Sequence, residues 1–293
     1  MDLWKTLKPI SFKFFGRSLE PVISYFDSIK PDLLRANIGL SLQEYVYVMF
    51  FVILGTFIIE FPSIVVITSL LLQDAITSFL LSFTLTVVIL IVLFFIFYTY
   101  PSMSAGKRKK NIDEALSFAT TYMATIATSG APPVTMFKVL AEFEDYGEIS
   151  YEMGKIYRDV EAFGMELVAA IRKTASRTPS EELKELLWGL DTILTSGGNV
   201  GDYLHEKSRL FIAEYRRRLE KYSRTLSMLI EVYLTVVLIG SIFFIIMTAL
   251  MSIIGGGGSN LFMMFLQFAV VFIVLPFVSI GFIMLVKTIS PST

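Results

Sequence analysis

Apolar residues along the chain gather into two long blocks. From Tyr45 to Tyr100 the sequence is almost free of charge, interrupted only by Glu60-Phe-Pro-Ser63 and Gln73-Asp74. A second block runs from Leu226 to Val286, with Glu231 near its start, and Gly255-Gly-Gly-Gly-Ser-Asn260 divides it. Each half of that block is about 25 residues, enough to cross a hydrocarbon core of roughly 30 Å. In the first block Ala75–Tyr100 is a clean span, whereas Tyr45–Ile59 is short and Ile64–Leu72 shorter still. The pattern predicts a span starting near Tyr45, a broken membrane-embedded stretch around Pro62, and then a second span.

Between the blocks the period changes. Ile112, Ala115, Leu116, Ala119, Tyr122, Met123 and Ile126 recur at spacings of three and four, which buries one face of a helix. Acids in Asn111-Ile-Asp-Glu114 suit the positive end of its dipole. Ser129-Gly-Ala-Pro-Pro133 ends it: Gly130 permits a left-handed exit, and Pro132 and Pro133 can only begin the next helix. Further helices are predicted over Val134–Phe143, Ile149–Phe163, Met165–Ser176 and Ser180–Thr195, and a sixth begins at Asn199. The stripe of the sixth, Leu204, Phe211, Tyr215, Leu219, Tyr222 and Leu226, runs on into the third span. If unbroken from Tyr203 to Ile254 it would be ~78 Å long. Thr125-Ile-Ala-Thr-Ser-Gly130 and Thr192-Ile-Leu-Thr-Ser-Gly197 echo each other. Either two helical hairpins are related by pseudo-symmetry, or two helix C-caps simply resemble one another.

Charge fixes the sidedness this pattern predicts. Of the 25 Lys and Arg residues, none lies in 43–100 or 226–286; all fall in 1–42, in 101–225 or at Lys287. Under the positive-inside rule both termini and the central domain are cytoplasmic, and each apolar block is a two-span hairpin. The expected fold is therefore all-α and polytopic, with four transmembrane helices in two hairpins around a cytoplasmic six-helix domain. Its parts are a cytoplasmic amphipathic segment (1–42), a hairpin (43–100), the helical domain (101–225), a second hairpin (226–287) and a cytoplasmic tail (288–293). The first segment reads as amphipathic rather than as a cleaved signal peptide.

Composition narrows the chemistry. Apolar residues make up 54% and charged residues 17%, outside the range of ordinary soluble domains. A net charge of −1 provides no bulk basic field for nucleic acid. Without cysteine there is no disulfide, thiol nucleophile or Cys-ligated metal, and the lone His205, expected on a polar helix face, leaves little histidine chemistry. No Lys-Ser/Thr follows the glycine run at 255–258, so it reads as an outer turn rather than a phosphate cradle. The expectation is no catalytic site, no cofactor and no metal. Transporters need polar groups near mid-bilayer. Here Glu60 falls at the expected break, Glu231 lies about one turn inside the cytoplasmic end, and Gln267 is the clearest amide within a span.

The order of several short motifs then carries a resemblance. Lys30-Pro-Asp-Leu-Leu-Arg-Ala-Asn-Ile-Gly-Leu-Ser-Leu-Gln-Glu-Tyr45 leads into a hairpin that ends Tyr100-Pro101 before a basic run. Phe118-Ala-Thr-Thr-Tyr-Met-Ala-Thr-Ile-Ala-Thr-Ser-Gly-Ala-Pro-Pro133, Phe163-Gly-Met-Glu-Leu-Val-Ala-Ala-Ile171 and Gly197-Gly-Asn-Val-Gly-Asp-Tyr-Leu204 follow. With the hairpin–domain–hairpin layout, the chain resembles the type II secretion system F-domain family, the platform proteins of type IV pili, type II secretion, tight-adherence pili and archaella. A single domain with four spans is closer to the tight-adherence C proteins and archaeal pilus or archaellum platforms than to the branch that duplicates the domain. The resemblance implies a non-enzymatic part of a prokaryotic cytoplasmic membrane. Such a part receives motion from a hexameric assembly ATPase and moves pilin-like subunits out of the bilayer. It also implies a central position beneath a filament, for which a homodimer is expected, with Gly240 and Ser241 as a small-residue contact.

Two basic clusters are candidates for docking that motor: Lys107, Arg108, Lys109 and Lys110, and Arg216, Arg217 and Arg218 with Lys221 and Arg224. Both are juxtamembrane, so topology and attraction to anionic membrane lipid account for them equally simply. The acidic stretch Glu142–Glu148 faces either a basic motor surface or solvent. Gly130, Pro132, Pro133, Gly197, Gly198 and Gly201 are the helix-corner residues. The alternative function is a membrane-anchored signalling or scaffold protein whose helical domain binds another partner.

Overall fold

The computed structural model describes residues 20–72, 74–254, 265 and 268–289. They form two compact units, one ending at Ser208 and one beginning at Arg209. No strand occurs among the described residues, and four helices are long and apolar enough to cross a membrane. The glycine run at 255–258, Gln267 and the C-terminal tail beyond Ile289 lie outside the described residues.

The first unit opens with α1 (Glu20–Ile23), a 3-10 turn (Ser24–Ile29) and α2 (Lys30–Arg35). Phe26, Ile29 and Leu33 recur at spacings of three and four, so one face of this segment is apolar. That face packs on Tyr45, Val46 and Met49, with Phe94 and Phe97 partly buried against the same cluster. The described part of the amphipathic segment, from residue 20 on, is thus seated at the base of the first hairpin.

Helix α3 spans Leu42–Leu72. Its start is a capping box: the Ser41 amide donates to Glu44 Oε2 (2.9 Å) and the Glu44 amide to Ser41 Oγ (3.3 Å). The break expected around Pro62 does not occur. Proline removes one amide donor, but an apolar environment offers the backbone no partner other than the helix itself, so the helix continues through it. Glu60 is therefore carried on an unbroken helix, not at an interruption.

Helix α4 runs from Ala75 to Thr128, about 81 Å at 1.5 Å per residue. The domain helix expected to begin near Asn111 is the direct continuation of the second span. Pro101 lies inside it. A proline cannot donate to the carbonyl four residues before it, here that of Phe97. The buried Tyr45 hydroxyl donates to that oxygen at 2.7 Å, replacing the missing bond. A seam of small hydroxyls joins α3 to α4 nearer their other ends: Thr68 Oγ1 lies 2.7 Å from Ser82 Oγ, and Ser78 Oγ donates to the Thr68 carbonyl at 3.2 Å.

Four helices follow: α5 (Pro133–Glu142), α6 (Glu148–Glu161), α7 (Leu167–Ala175) and α8 (Glu181–Ser196), before α9 (Val200–Leu234). Their core is made by Ile112, Leu116 and Met123 of α4 with Met136, Phe137, Leu140, Ile149, Met153, Ile156, Ile171, Leu183 and Leu187, all but excluded from solvent. Ser180 caps α8 by accepting from the Leu183 amide.

The second unit holds the remainder of α9, a π-helical turn (Thr235–Ile239), α10 (Gly240–Ile254), a second π turn (Val270–Val274) and α11 (Leu275–Ile289). Tyr233 stacks on Phe282 at 4.4 Å, and its hydroxyl lies 2.9 Å from Ser279 Oγ.

Candidate functional site

The two basic clusters prove unlike once placed. Lys107, Lys109 and Lys110 are exposed on α4, and Lys110 lies 3.8 Å from Glu114 one turn on. Arg108, in the middle of the run, turns inward and is 7% exposed. Its Nε donates to Glu148 Oε2 (2.9 Å), its Nη2 to Glu152 Oε1 (2.7 Å) and its Nη1 to the Arg35 carbonyl (2.6 Å). Burial opposes the charge of this guanidinium, but the hydrogen bonds and charges of Glu148 and Glu152 outweigh it and hold its pKa above the ordinary value. Arg108 is thus removed from any external docking surface. A buried fork with two carboxylates and a carbonyl ties α2, α4 and α6 together instead.

A smaller network continues from that joint. Asn37 has φ +54°, the left-handed conformation that turns the chain out of α2. Its Nδ2 donates to the Tyr151 hydroxyl (2.9 Å), and its Oδ1 accepts from Lys155 Nζ (3.3 Å). Lys155 also pairs with Glu152 at 3.0 Å and lies 4.5 Å from the centre of the Tyr151 ring. Of these partners of Arg108, only Glu148 was singled out from the sequence, as the end of an acidic stretch expected to face a motor or solvent; it turns to Arg108 instead. The signal that could have found Glu152 as well was its sharing one helix face with Glu148 at i and i+4.

Arg216, Arg217 and Arg218 lie on α9 in the second unit. Arg217 pairs with Glu214 at 2.5 Å while its side chain stays 72% exposed, and Arg218 reaches the same carboxylate at 3.9 Å. Arg216 is exposed. Arg216 and Arg217 of this cluster face solvent and are within reach of a partner, which Arg108 is not.

The corner residues are assembled by packing. Gly130 (φ +76°) and Gly197 (φ +70°) both leave their helices in the left-handed conformation, as such C-caps require, and this accounts for that part of the echoed sequence. Pro132 and Pro133 start α5. Gly198 donates to the Ile193 carbonyl at 2.9 Å, closing the end of α8. At Gly201 a methyl group would come 3.0 Å from Thr128 Cγ2, so the first turn of α9 lies directly on the end of α4. Asn199 Oδ1 accepts from the Gly201 amide (2.9 Å) and caps that turn. Gly189, in the middle of α8, is a close-packing residue the sequence did not suggest: a methyl there would lie 1.9 Å from the Tyr203 hydroxyl, which donates to the Leu186 carbonyl.

Of the intramembrane polar candidates, Glu231 is exposed on α9, and Gln267 lies outside the described residues. Glu60 Oε2 and Thr86 Oγ1 are buried without a hydrogen-bond partner.

Residues 119–248 match the family Type II secretion system, protein F. An uncharacterized protein of Methanocaldococcus jannaschii is 26% identical over 150 residues, 51% of this chain and 25% of that protein. Flagella accessory protein J of the same organism is 28% identical over 137 residues, 46% of this chain and 24% of its own length. Flagella accessory protein J of Methanococcus voltae is 24% identical over 139 residues, 47% and 25% respectively. The matched stretch thus spans about a quarter of each of these relatives. No solved structure matches the chain.

Proposed function

From the premise that residues 119–248 carry a type II secretion system protein F domain, we propose that this chain is the membrane platform of a type IV pilus-like machine. In this reading it takes up motion from a cytoplasmic assembly ATPase and uses it to extract and polymerise pilin-like subunits. The orientation belongs to the proposal: both termini and the helical domain face the cytoplasm, since every Lys and Arg falls in those segments. So does self-association as a dimer. The two relatives named as flagella accessory proteins favour an archaellum or archaeal pilus over other members of the class.

The observation that carries the proposal is the continuity of α4. The F domain begins within the helix that forms the second span, and no loop intervenes between Ala75 and Thr128. A force applied to the domain helices is delivered along a hydrogen-bonded rod, not absorbed by a hinge. The chain's part is mechanical, and the nucleotide chemistry belongs to the motor.

The test is capture of the cognate ATPase by the full chain in detergent, at low and high salt, against the variant R216E/R217E/R218E. The substitution changes local charge by six units, turning attraction for an acidic surface into repulsion, and salt weakens both. Wild type should retain the ATPase at low salt and lose it at high salt, while the variant retains none. Equal capture by the two at low salt would remove the motor-docking role from this cluster.

A further inference from the structure

The Arg108 joint has a second side. Beyond Tyr151, between α2, α6 and α7, a cleft of about 240 Å³ is lined by Lys155, Arg158, Lys173 and Arg177, with Glu152 and Asp159 beneath them. Both carboxylates are buried, at 2% and 4% exposure, and each is already engaged by a lysine. Glu152 holds Lys155 at 3.0 Å and is shared with Arg108; Asp159 holds Lys173 at 2.7 Å. The acids fix the two lysines in place, leaving their own charge neutralised from within. Arg158 and Arg177 are exposed at the rim and have no carboxylate partner among the described residues. The cleft therefore carries a net positive charge with two planar guanidinium forks free to bind, an arrangement matched to a tetrahedral oxyanion.

Its surroundings narrow the ligand further. The remaining wall is mixed: Leu33, Leu34 and Ile38 give it an aliphatic strip on α2 and the turn after it, beside the polar Asn37 and Thr174. Leu34 is 54% exposed, an aliphatic surface beside the cations. Leu33 belongs to the cluster at the base of the first hairpin, and α3 begins at Leu42, only four residues after Ile38. The cleft thus lies at the mouth of a membrane span, where phosphate headgroups begin and where basic pockets meet anionic lipid.

We infer that this cleft is a phosphate-binding site whose two rim arginines, Arg158 and Arg177, grip a phosphate group while Leu34 and Ile38 meet the apolar part of its carrier. A lipid headgroup and free phosphate share the oxyanion chemistry, and the aliphatic strip favours the lipid. A headgroup held there would bridge α2, α6 and α7 and fasten the amphipathic N-terminal segment to the helical domain at the membrane surface. The inference is independent of the filament machinery.

The test uses the full chain in neutral detergent, titrated calorimetrically with dioctanoyl phosphatidylglycerol, dioctanoyl phosphatidylcholine and inorganic phosphate. Wild type should bind the phosphatidylglycerol and not the zwitterionic lipid. R158Q/R177Q should bind it roughly thirtyfold more weakly, about five- to sixfold for each lost cation. R216Q/R217Q/R218Q, altered outside the cleft, should bind as wild type does, which excludes general basicity. Both rim arginines are exposed, so R158Q/R177Q should melt with the wild type when no lipid is present. Phosphate that binds as tightly as the lipid and is lost in R158Q/R177Q identifies free phosphate as the ligand; lipid binding without it identifies the headgroup. Undiminished phosphatidylglycerol binding by R158Q/R177Q, or no binding of either anion by wild type, overturns the assignment.

Discussion

Lys107–Lys110 and Arg216–Arg218 look alike in the sequence: short basic runs on helices flanking the central domain, each beside an apolar block. In the fold they do different work. The first run is divided, because Arg108 points into the first unit and meets two carboxylates and a carbonyl while its neighbours face outward. The second stays in solvent, with Glu214 as a half-exposed counterion. Adjacent residues on a helix are turned by about 100°, so a run of charges never shares one environment. A buried arginine with fixed partners sustains structure, whereas an exposed one stays in contact with solvent.

The contrast is broken most severely at Arg108. R108M should destabilise the protein by about 3 kcal/mol, the lower end of the cost of stripping one partner from a buried pair, because Lys155 still serves Glu152. Thermal unfolding in detergent reads this, and R108M/E148M should recover part of the loss by removing a stranded carboxylate as well. A stability equal to wild type would show that the joint holds nothing.

The same joint can be probed at its edge. N37G keeps the left-handed turn but deletes the amide that meets Tyr151 and Lys155, and should cost about 1 kcal/mol in the same melt. N37A should cost more, because alanine adds strain at φ +54°.

The exposed cluster should behave in the opposite way. R216Q/R217Q/R218Q is expected to change stability by less than about 1 kcal/mol, since exposed ion pairs contribute little. A larger loss would place this cluster with Arg108 as structural. The smallest effect belongs to K107M and K109M, each within about 0.5 kcal/mol of wild type by denaturant melt. These two lysines flank Arg108, so their neutrality beside its severity is the sharpest form of the comparison.

The helix ends at glycines 130 and 197 and the proline start of α5 were legible, because each depends on residues within a turn of one another. Pro62 and Pro101 misled for the same reason. Proline is a local breaker, and its override came from elsewhere: an apolar environment around α3, and a tyrosine 52 residues away in sequence that reaches the orphaned Phe97 carbonyl. The basic clusters were found, but not which arginine was buried. The rim arginines of the cleft went unnoticed, since Arg158 and Arg177 stand alone in the sequence and gather only when α6 packs on α7.

The sequence by itself determined the segregation of charge from apolar residues, and with it the four apolar helices and the all-helical class, and it carries the stretch, 119–248, that matches the protein F family. Those properties follow from composition and short-range period, which the chain carries wherever its helices end up. The tertiary structure alone decided that the second span and the first domain helix are one rod, that Arg108 is a joint rather than a contact, and that four cations converge beside the first span. Each of these depends on side chains tens of residues apart meeting across packed helices, and no local pattern encodes which of many possible partners will arrive.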